Sequence, residues 1–151
     1  MLDFFYITEA FVFEKNACRK VEKVREERDD DLNKLLQFFR ECKKNNEHFY
    51  WDVDADPKTG VLKNIFWSHA RQRAEYRDFG DVITFDTTYK TNMYEMPFGL
   101  FVGVNNHFQS VLLGGVLMTD EKVETFRWIF KEFTRLMGGK EPVTILTGEF
   151  A

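Results

Sequence analysis

One long helical repeat lies between apolar stretches of strand length, and that alternation limits the folds open to this chain. Val123, Phe126, Phe130, Phe133 and Met137 recur at helical spacing, Gly138 and Gly139 follow, and residues 143–146 form a short apolar run after Pro142. Upstream, residues 82–85, 98–104 and 110–118 read as strands, the last two joined by Asn105-Asn106-His107, so that the three make an antiparallel meander. Thr119 or Asp120 is the expected cap of the long helix. The order from Asp81 is therefore β-β-β-α-β. A helix between two strands normally returns the chain parallel to a strand already in the sheet, through a right-handed connection. The last strand is expected beside the first, which brings Asp86 and Thr147-Gly148 to one edge, where open mixed sheets gather functional side chains. The predicted class is α+β or mixed α/β.

The leader divides in two. Residues 1–31 run from an apolar start into a charged stretch, 20–31, in which only Val21 and Val24 are apolar; this is read as a weakly held helix or a disordered lead-in. Residues 32–80 read as helix, hairpin and helix, and residues 81–151 as the sheet-bearing part. Asp31 is a plausible N-cap, with Leu32, Leu35, Leu36 and Phe39 at the spacing of an amphipathic helix and Lys43 and Lys44 at its end. Phe49, Trp51 and Val53 alternate with polar residues, and residues 61–67 read as a second strand. Asp-Pro-Lys-Thr-Gly at 56–60 supplies the turn of a β-hairpin. Ser68 is placed as the cap of a short helix that Phe79 and Gly80 close.

Composition excludes several classes. With 44% apolar residues and 17 phenylalanines the chain has material for a substantial core. A net charge of −4 argues against nucleic-acid binding through the overall field, so any DNA affinity must be local. Cys18 and Cys42 form no CxxC pair and His48, His69 and His107 stand apart from them, too few and too scattered for structural zinc. No apolar run reaches the roughly 18 residues of a membrane span, and residues 1–13 carry Asp3 and Glu9 without the basic region of a signal peptide.

Asp-Val-Ile-Thr-Phe-Asp-Thr-Thr-Tyr, 81–89, is the stretch with chemical content. An apolar strand ending in a carboxylate is one way to present a metal ligand, and Asp86 is the candidate; the competing reading is an acid that ends a strand and begins a turn. Other constellations are weaker. Asp52, Asp54 and Asp56 ahead of Gly60 resemble a calcium loop, but Pro57 and Lys63 stand where that loop needs Gly and Glu, so they read as a polar hairpin face. Arg71, Arg73 and Arg77, with Lys63 and His69, are the local basic cluster; Glu75 and Asp78 interrupt it, which favours a solvated helix face over a phosphate-binding one. Gly99, Gly103, Gly114 and Gly115 match no phosphate loop and read as close-packing or bulge positions. His107 reads as a turn residue, and the stripe of Phe126, Phe130 and Phe133, flanked by Trp128 and Ile129, as core.

Taken in order, the motifs resemble the plant FAR-RED IMPAIRED RESPONSE proteins, regulators derived from Mutator-like (MULE) transposases. The residues that carry the resemblance run from Asp31 to Thr147: Phe-Tyr-Trp-Asp-Val-Asp at 49–54, Asn-Ile-Phe-Trp at 64–67, Phe79-Gly80-Asp81, Phe-Asp-Thr-Thr-Tyr at 85–89 and Met96-Pro97-Phe98. Phe-Val-Gly-Val-Asn at 101–105, Glu124-Thr125-Phe126 and Ile145-Leu146-Thr147 continue the match. The resemblance implies the first half of a MULE transposase domain on a partial RNase H-like fold, in a nuclear protein that regulates transcription. It also implies zinc in full-length members, through an N-terminal zinc-finger domain and a C-terminal SWIM finger, neither of whose ligand sets this chain carries, and divalent metal in active transposases. Asp86 matches the first catalytic acid; the second acid is due directly after Ile-Leu-Thr, where Gly148 stands, and the third lies beyond Ala151. Glu149 is one residue late and points to the other face, and Asp120 is two strands across, so neither replaces it.

The expectation is a noncatalytic, transposase-derived nuclear protein in which Asp86 is a vestigial, weak metal ligand and Arg71, Arg73 and Arg77 are the residues nearest to a nucleic-acid surface. No bound cofactor is expected in this chain. Protein partners, or self-association through an exposed sheet edge at residues 143–146, are expected, with DNA contacted weakly or indirectly and no membrane. The alternatives are an active metal-dependent transposase or nuclease, and a nonfunctional gene fragment.

Overall fold

The computed structural model describes residues 24–88 and 96–148; the readings placed on residues 1–13, Cys18, Tyr89 and Glu149 lie outside them. The first element, α1 (Val24–Asn45), starts well before Asp31. Asp31 is therefore inside the helix rather than its cap. Arg25, Glu26, Glu27 and Arg28 are good helix formers, and pairs one turn apart support the helix: Lys34 Nζ lies 2.6 Å from Asp30 and Gln37 bonds Glu41. Leu32, Leu35, Leu36 and Phe39 form the buried side as the spacing predicts.

The hairpin follows as β1 (Tyr50–Ala55) and β2 (Leu62–Ser68). Its turn is held by Asp56, whose Oδ1 accepts the backbone N–H groups of Lys58 and Thr59 at 2.9 and 3.0 Å, while Gly60 takes a left-handed φ of 69°. Those N–H groups, with Lys63 beside them, pull the Asp56 carboxyl down to about 2. Next, α2 (Ala70–Phe79) is capped not by Ser68 but by His69, whose backbone N–H donates to Gln72 Oε1. Ser68 is still strand, and its hydroxyl donates to the carbonyl of Leu113 across the sheet. Gly80 is the C-cap of α2, and a Cβ there would sit 2.4 Å from the Tyr76 ring, which is why the position is glycine.

The meander is β3 (Val82–Thr88), β4 (Phe98–Val104) and β5 (Ser110–Leu117), followed by α3 (Val123–Leu136) and β6 (Thr144–Thr147). The six strands of the described residues form one mixed sheet in the order β1-β2-β5-β4-β3-β6, so the fold is mixed α+β. The hairpin joins this sheet through β2, which pairs antiparallel with β5, Ile65 opposite Leu117 and Trp67 opposite Gly115. A Cβ at Gly115 would lie 2.9 Å from the Trp67 indole, which is why that position is glycine. β6 lies parallel to β3, Ile83 opposite Ile145, as the crossover rule requires.

Side chains alternate between two cores. On one face α2 and α3 bury Tyr76, Ile129, Phe133 and Leu136 against Phe66, Phe85, Phe101 and Val116. Phe101 stacks on Phe133 at 4.0 Å between centroids and meets Phe85 at 4.6 Å. The predicted stripe of α3 is rotated: Ile129, Phe133 and Leu136 are its buried centre, Phe126 and Phe130 flank it, and Val123 is exposed. On the other face α1 places Phe39 on Trp67, with Phe98, Ile65 and Leu117 around them.

Phe101→Ala removes the ring between Phe85 and Phe133 and is expected to lower the unfolding free energy by about 3–5 kcal/mol in urea titrations. A loss under about 1 kcal/mol would mean that α3 is held by other contacts. For the hairpin turn, the Asp56 carboxyl is depressed in the folded state, so its ionised form stabilises at pH above the ordinary carboxylate range and that contribution is lost as pH falls toward 2. The melting temperature of Asp56→Asn should lie below the parent at pH 7, and the gap should close between pH 3.8 and about 2. A gap independent of pH contradicts this account.

Candidate functional site

Along β3, Ile83 and Phe85 enter the α3 core, so Val82, Thr84 and Asp86 face the opposite side of the sheet. Asp86 is exposed there, next to Leu100 of β4. The parallel register of β6 brings its end to the same place: a Cβ built on Gly148 would be 3.4 Å from Asp86 Oδ1, an ordinary contact. The structure thus joins the two positions that sequence spacing assigns to one edge, and the second of them carries no side chain.

Asp120 is committed elsewhere. Its Oδ1 accepts the Thr125 hydroxyl at 2.6 Å and the Lys122 backbone N–H at 3.1 Å, and these bonds, the Thr125 one foremost, lower its carboxyl below the usual range. It serves the start of α3, although the first helical residue is Val123 rather than one next to Thr119 or Asp120. The acids of the hairpin are likewise dispersed: Asp52 pairs with Arg135 at 2.7 Å, Asp54 accepts from the buried Asn64 amide at 2.8 Å, and Asp56 holds its turn. Among the described residues no group of three or more His, Cys, Asp or Glu side chains could hold a metal ion. The described side chains at this edge do not supply the several converging carboxylates that the two-metal arrangement of phosphodiester chemistry needs.

Arg71, Arg73 and Arg77 are all exposed on α2. Arg71 Nε lies 3.5 Å from Glu75 and Arg77 Nε 3.2 Å from Asp78, while Lys63 is 3.3 Å from Asp56. Acids interleaved with the arginines offset the positive potential that a phosphate backbone would require. His107 belongs to the β4–β5 turn, where its backbone N–H donates to Asn105 Oδ1.

A second polar cluster was not anticipated. Tyr50 donates to Glu132 at 2.9 Å, and Arg135 bonds Tyr50, Asp52 and Glu132, joining β1 to α3. Burial and the nearby Asp52 push the Glu132 carboxyl up. Its one trace in the sequence is a glutamate set within the apolar face of α3, with an arginine three residues on.

Residues 82–150 match the MULE transposase domain, which gives the class: a protein with transposase-domain sequence. Protein FAR-RED IMPAIRED RESPONSE 1 of Arabidopsis thaliana is 43% identical over 119 residues, covering 79% of this chain and 14% of the relative. Protein FAR1-RELATED SEQUENCE 4 of the same plant is 38% identical over 119 residues, 79% of this chain and 16% of its own length. Protein FAR1-RELATED SEQUENCE 11, also from Arabidopsis thaliana, is 40% identical over 123 residues, 78% of this chain and 18% of its own. The chain belongs to the FAR-RED IMPAIRED RESPONSE family. It spans between 14% and 18% of the length of these curated relatives. No solved structure matches the chain significantly. Among the described residues no helix is long and apolar enough to cross a membrane.

Replacing Gly148 by Asp sets a second carboxylate against Asp86. Manganese titration followed by electron paramagnetic resonance should show one site in Gly148→Asp that disappears in the double variant Gly148→Asp, Asp86→Asn. Equal binding by the two variants would mean that the two positions do not share an ion.

Proposed function

We propose that this chain is a noncatalytic, transposase-derived regulator of transcription that acts in the nucleus through protein contacts. The observation that carries the reading is the bare backbone at Gly148 beside Asp86, at the place where the family resemblance puts the second acid. One exposed carboxylate attracts a divalent cation weakly and cannot position the attacking and leaving oxygens of a strand-cleavage reaction. Asp86 is on this reading a vestige of the ancestral site. The sheet is read as the opening half of an RNase H-like fold; its support is the antiparallel order β5-β4-β3 with β6 added parallel to β3 after a helix. DNA is contacted weakly or indirectly, since Arg71 and Arg77 stand beside acids and the chain carries a net charge of −4.

The test is cleavage of supercoiled plasmid by the purified chain in magnesium or manganese, with Asp86→Asn as control. The two proteins are expected to leave the same background of nicked circles. Metal-dependent nicking that vanishes in Asp86→Asn would overturn the reading in favour of an active transposase or nuclease.

A further inference from the structure

We infer that Tyr76, Asp81 and Lys140 form a clasp that sets the register of β6 on β3, and with it whether position 148 comes to lie beside Asp86. Little in β6 itself selects a register. The strand is four residues long, and Thr-Ile-Leu-Thr puts one apolar residue on each face, so the rule that a hydrophobic pattern pins a strand to its neighbour has almost nothing to act on. The connection from α3 is equally undemanding, because Gly138 and Gly139 take left-handed φ values of 73° and 82°, in which glycine is unstrained. A slip of two residues would keep every side chain on its face and carry position 148 roughly 6.6 Å along the sheet, at about 3.3 Å per residue.

Lys140 follows the two glycines and is tied to the corner where α2 turns into β3. Tyr76, a buried residue of α2, donates its hydroxyl to the Lys140 carbonyl at 3.0 Å, and the Lys140 ammonium lies 5.6 Å from the centre of the same ring. Lys140 Nζ is also 3.4 Å from Asp81 Oδ1 and donates to the Arg77 carbonyl at 3.3 Å, in the last turn of α2. The Asp81 carbonyl accepts the backbone N–H groups of Val143 and Thr144 at 2.8 and 3.0 Å, next to the first pair of the ladder, Val82 opposite Thr144. Asp81 therefore meets the returning chain with both its side chain and its backbone. Tyr76 is itself well placed to hold a fixed point, since Phe133 stands edge-on to its ring at 5.1 Å. Burial, with Asp81 and Glu141 nearby, pushes its hydroxyl up to about 12, so it stays a donor through the ordinary pH range. With Lys140 fixed, the count of residues to β6 is fixed, and position 148 arrives at Asp86. The clasp acts on where that position lies, so the inference does not depend on whether the chain is catalytic.

Disulfide cross-linking reads the register directly. In the full chain with Cys18 and Cys42 changed to Ser, Thr84→Cys is combined either with Leu146→Cys, its partner in the structure, or with Thr144→Cys, its partner after a two-residue slip. Mild oxidation is expected to close the first pair in strong preference to the second, whose Cα atoms come within the limit of about 7 Å for a disulfide only after the slip. Lys140→Ala and, separately, Tyr76→Phe should raise the slipped share at least about fivefold, the scale set by one lost hydrogen bond. Lys140→Arg, which keeps a cation between the ring and Asp81, should restore most of the parent preference. Lys140 is half-exposed and Tyr76→Phe retains the buried ring, so both variants are mild for the fold, and a thermal melt is recorded with each. A parent that closes the two pairs alike, or a preference that neither variant moves, would overturn the proposal. So would loss of both cross-links together with the melt in both variants, since the contacts would then hold the fold and not the register.

Discussion

The arrangement at the Asp86 edge depends on the parallel pairing of β6 with β3. Nothing local in Thr-Ile-Leu-Thr dictates it; the strand reaches that place because α3 packs on the sheet and returns the chain parallel to β3. What fixes α3 there is aromatic packing, with Phe133 stacked on Phe101 and Phe130 edge-on to Phe85. Those rings sit on the face opposite Asp86. The same alternation that sends Phe85 inward sends its neighbour outward, so the burial of one side chain and the exposure of the next are a single fact about the strand.

Polar bonds also tie the hairpin to α3 and to the loop before it. Glu132 is nearly buried, which by itself costs stability, and Arg135 and the Tyr50 hydroxyl both donate to its carboxyl. Asn64, fully buried in β2, is satisfied in the same manner by Asp54 on one side and the Thr119 backbone on the other. These bonds connect the N-terminal hairpin to the loop and helix that follow β5. Hairpin and meander therefore share both a sheet and a set of polar bonds.

Much of this was legible in the residues. The strands of the meander, the order β-β-β-α-β, the parallel return and the meeting of Asp86 with position 148 all follow from hydrophobic period and connection handedness, which are local or nearly local rules. Three features were not legible, for separate reasons. The pairing of β2 with β5 is a choice between remote edges, and no pattern within either strand encodes it. The early start of α1 was hidden because its charged residues suit a helix and a solvated coil equally, and Asp31 suits a cap as well as an interior turn. The rotation of α3 toward Ile129 and Leu136 reflects which rings the sheet presents, so helical spacing alone left the buried face ambiguous. At the candidate site the glycine was plain in the sequence, and the structure adds that a side chain there would have touched Asp86.

The position of β6 also has a kinetic meaning. Ile83 and Ile145 are neighbours in space but 62 positions apart in the chain (145 − 83), whereas β1 meets β2 and β4 meets β5 across short turns. Closing a long loop is slow relative to zipping a hairpin, because its entropy is lost before any contact compensates. The two hairpins are expected to form early, with β6 docking only after α3 has settled on the phenylalanines. The margin that brings position 148 to Asp86 is then the last part of the sheet to assemble and the first to open.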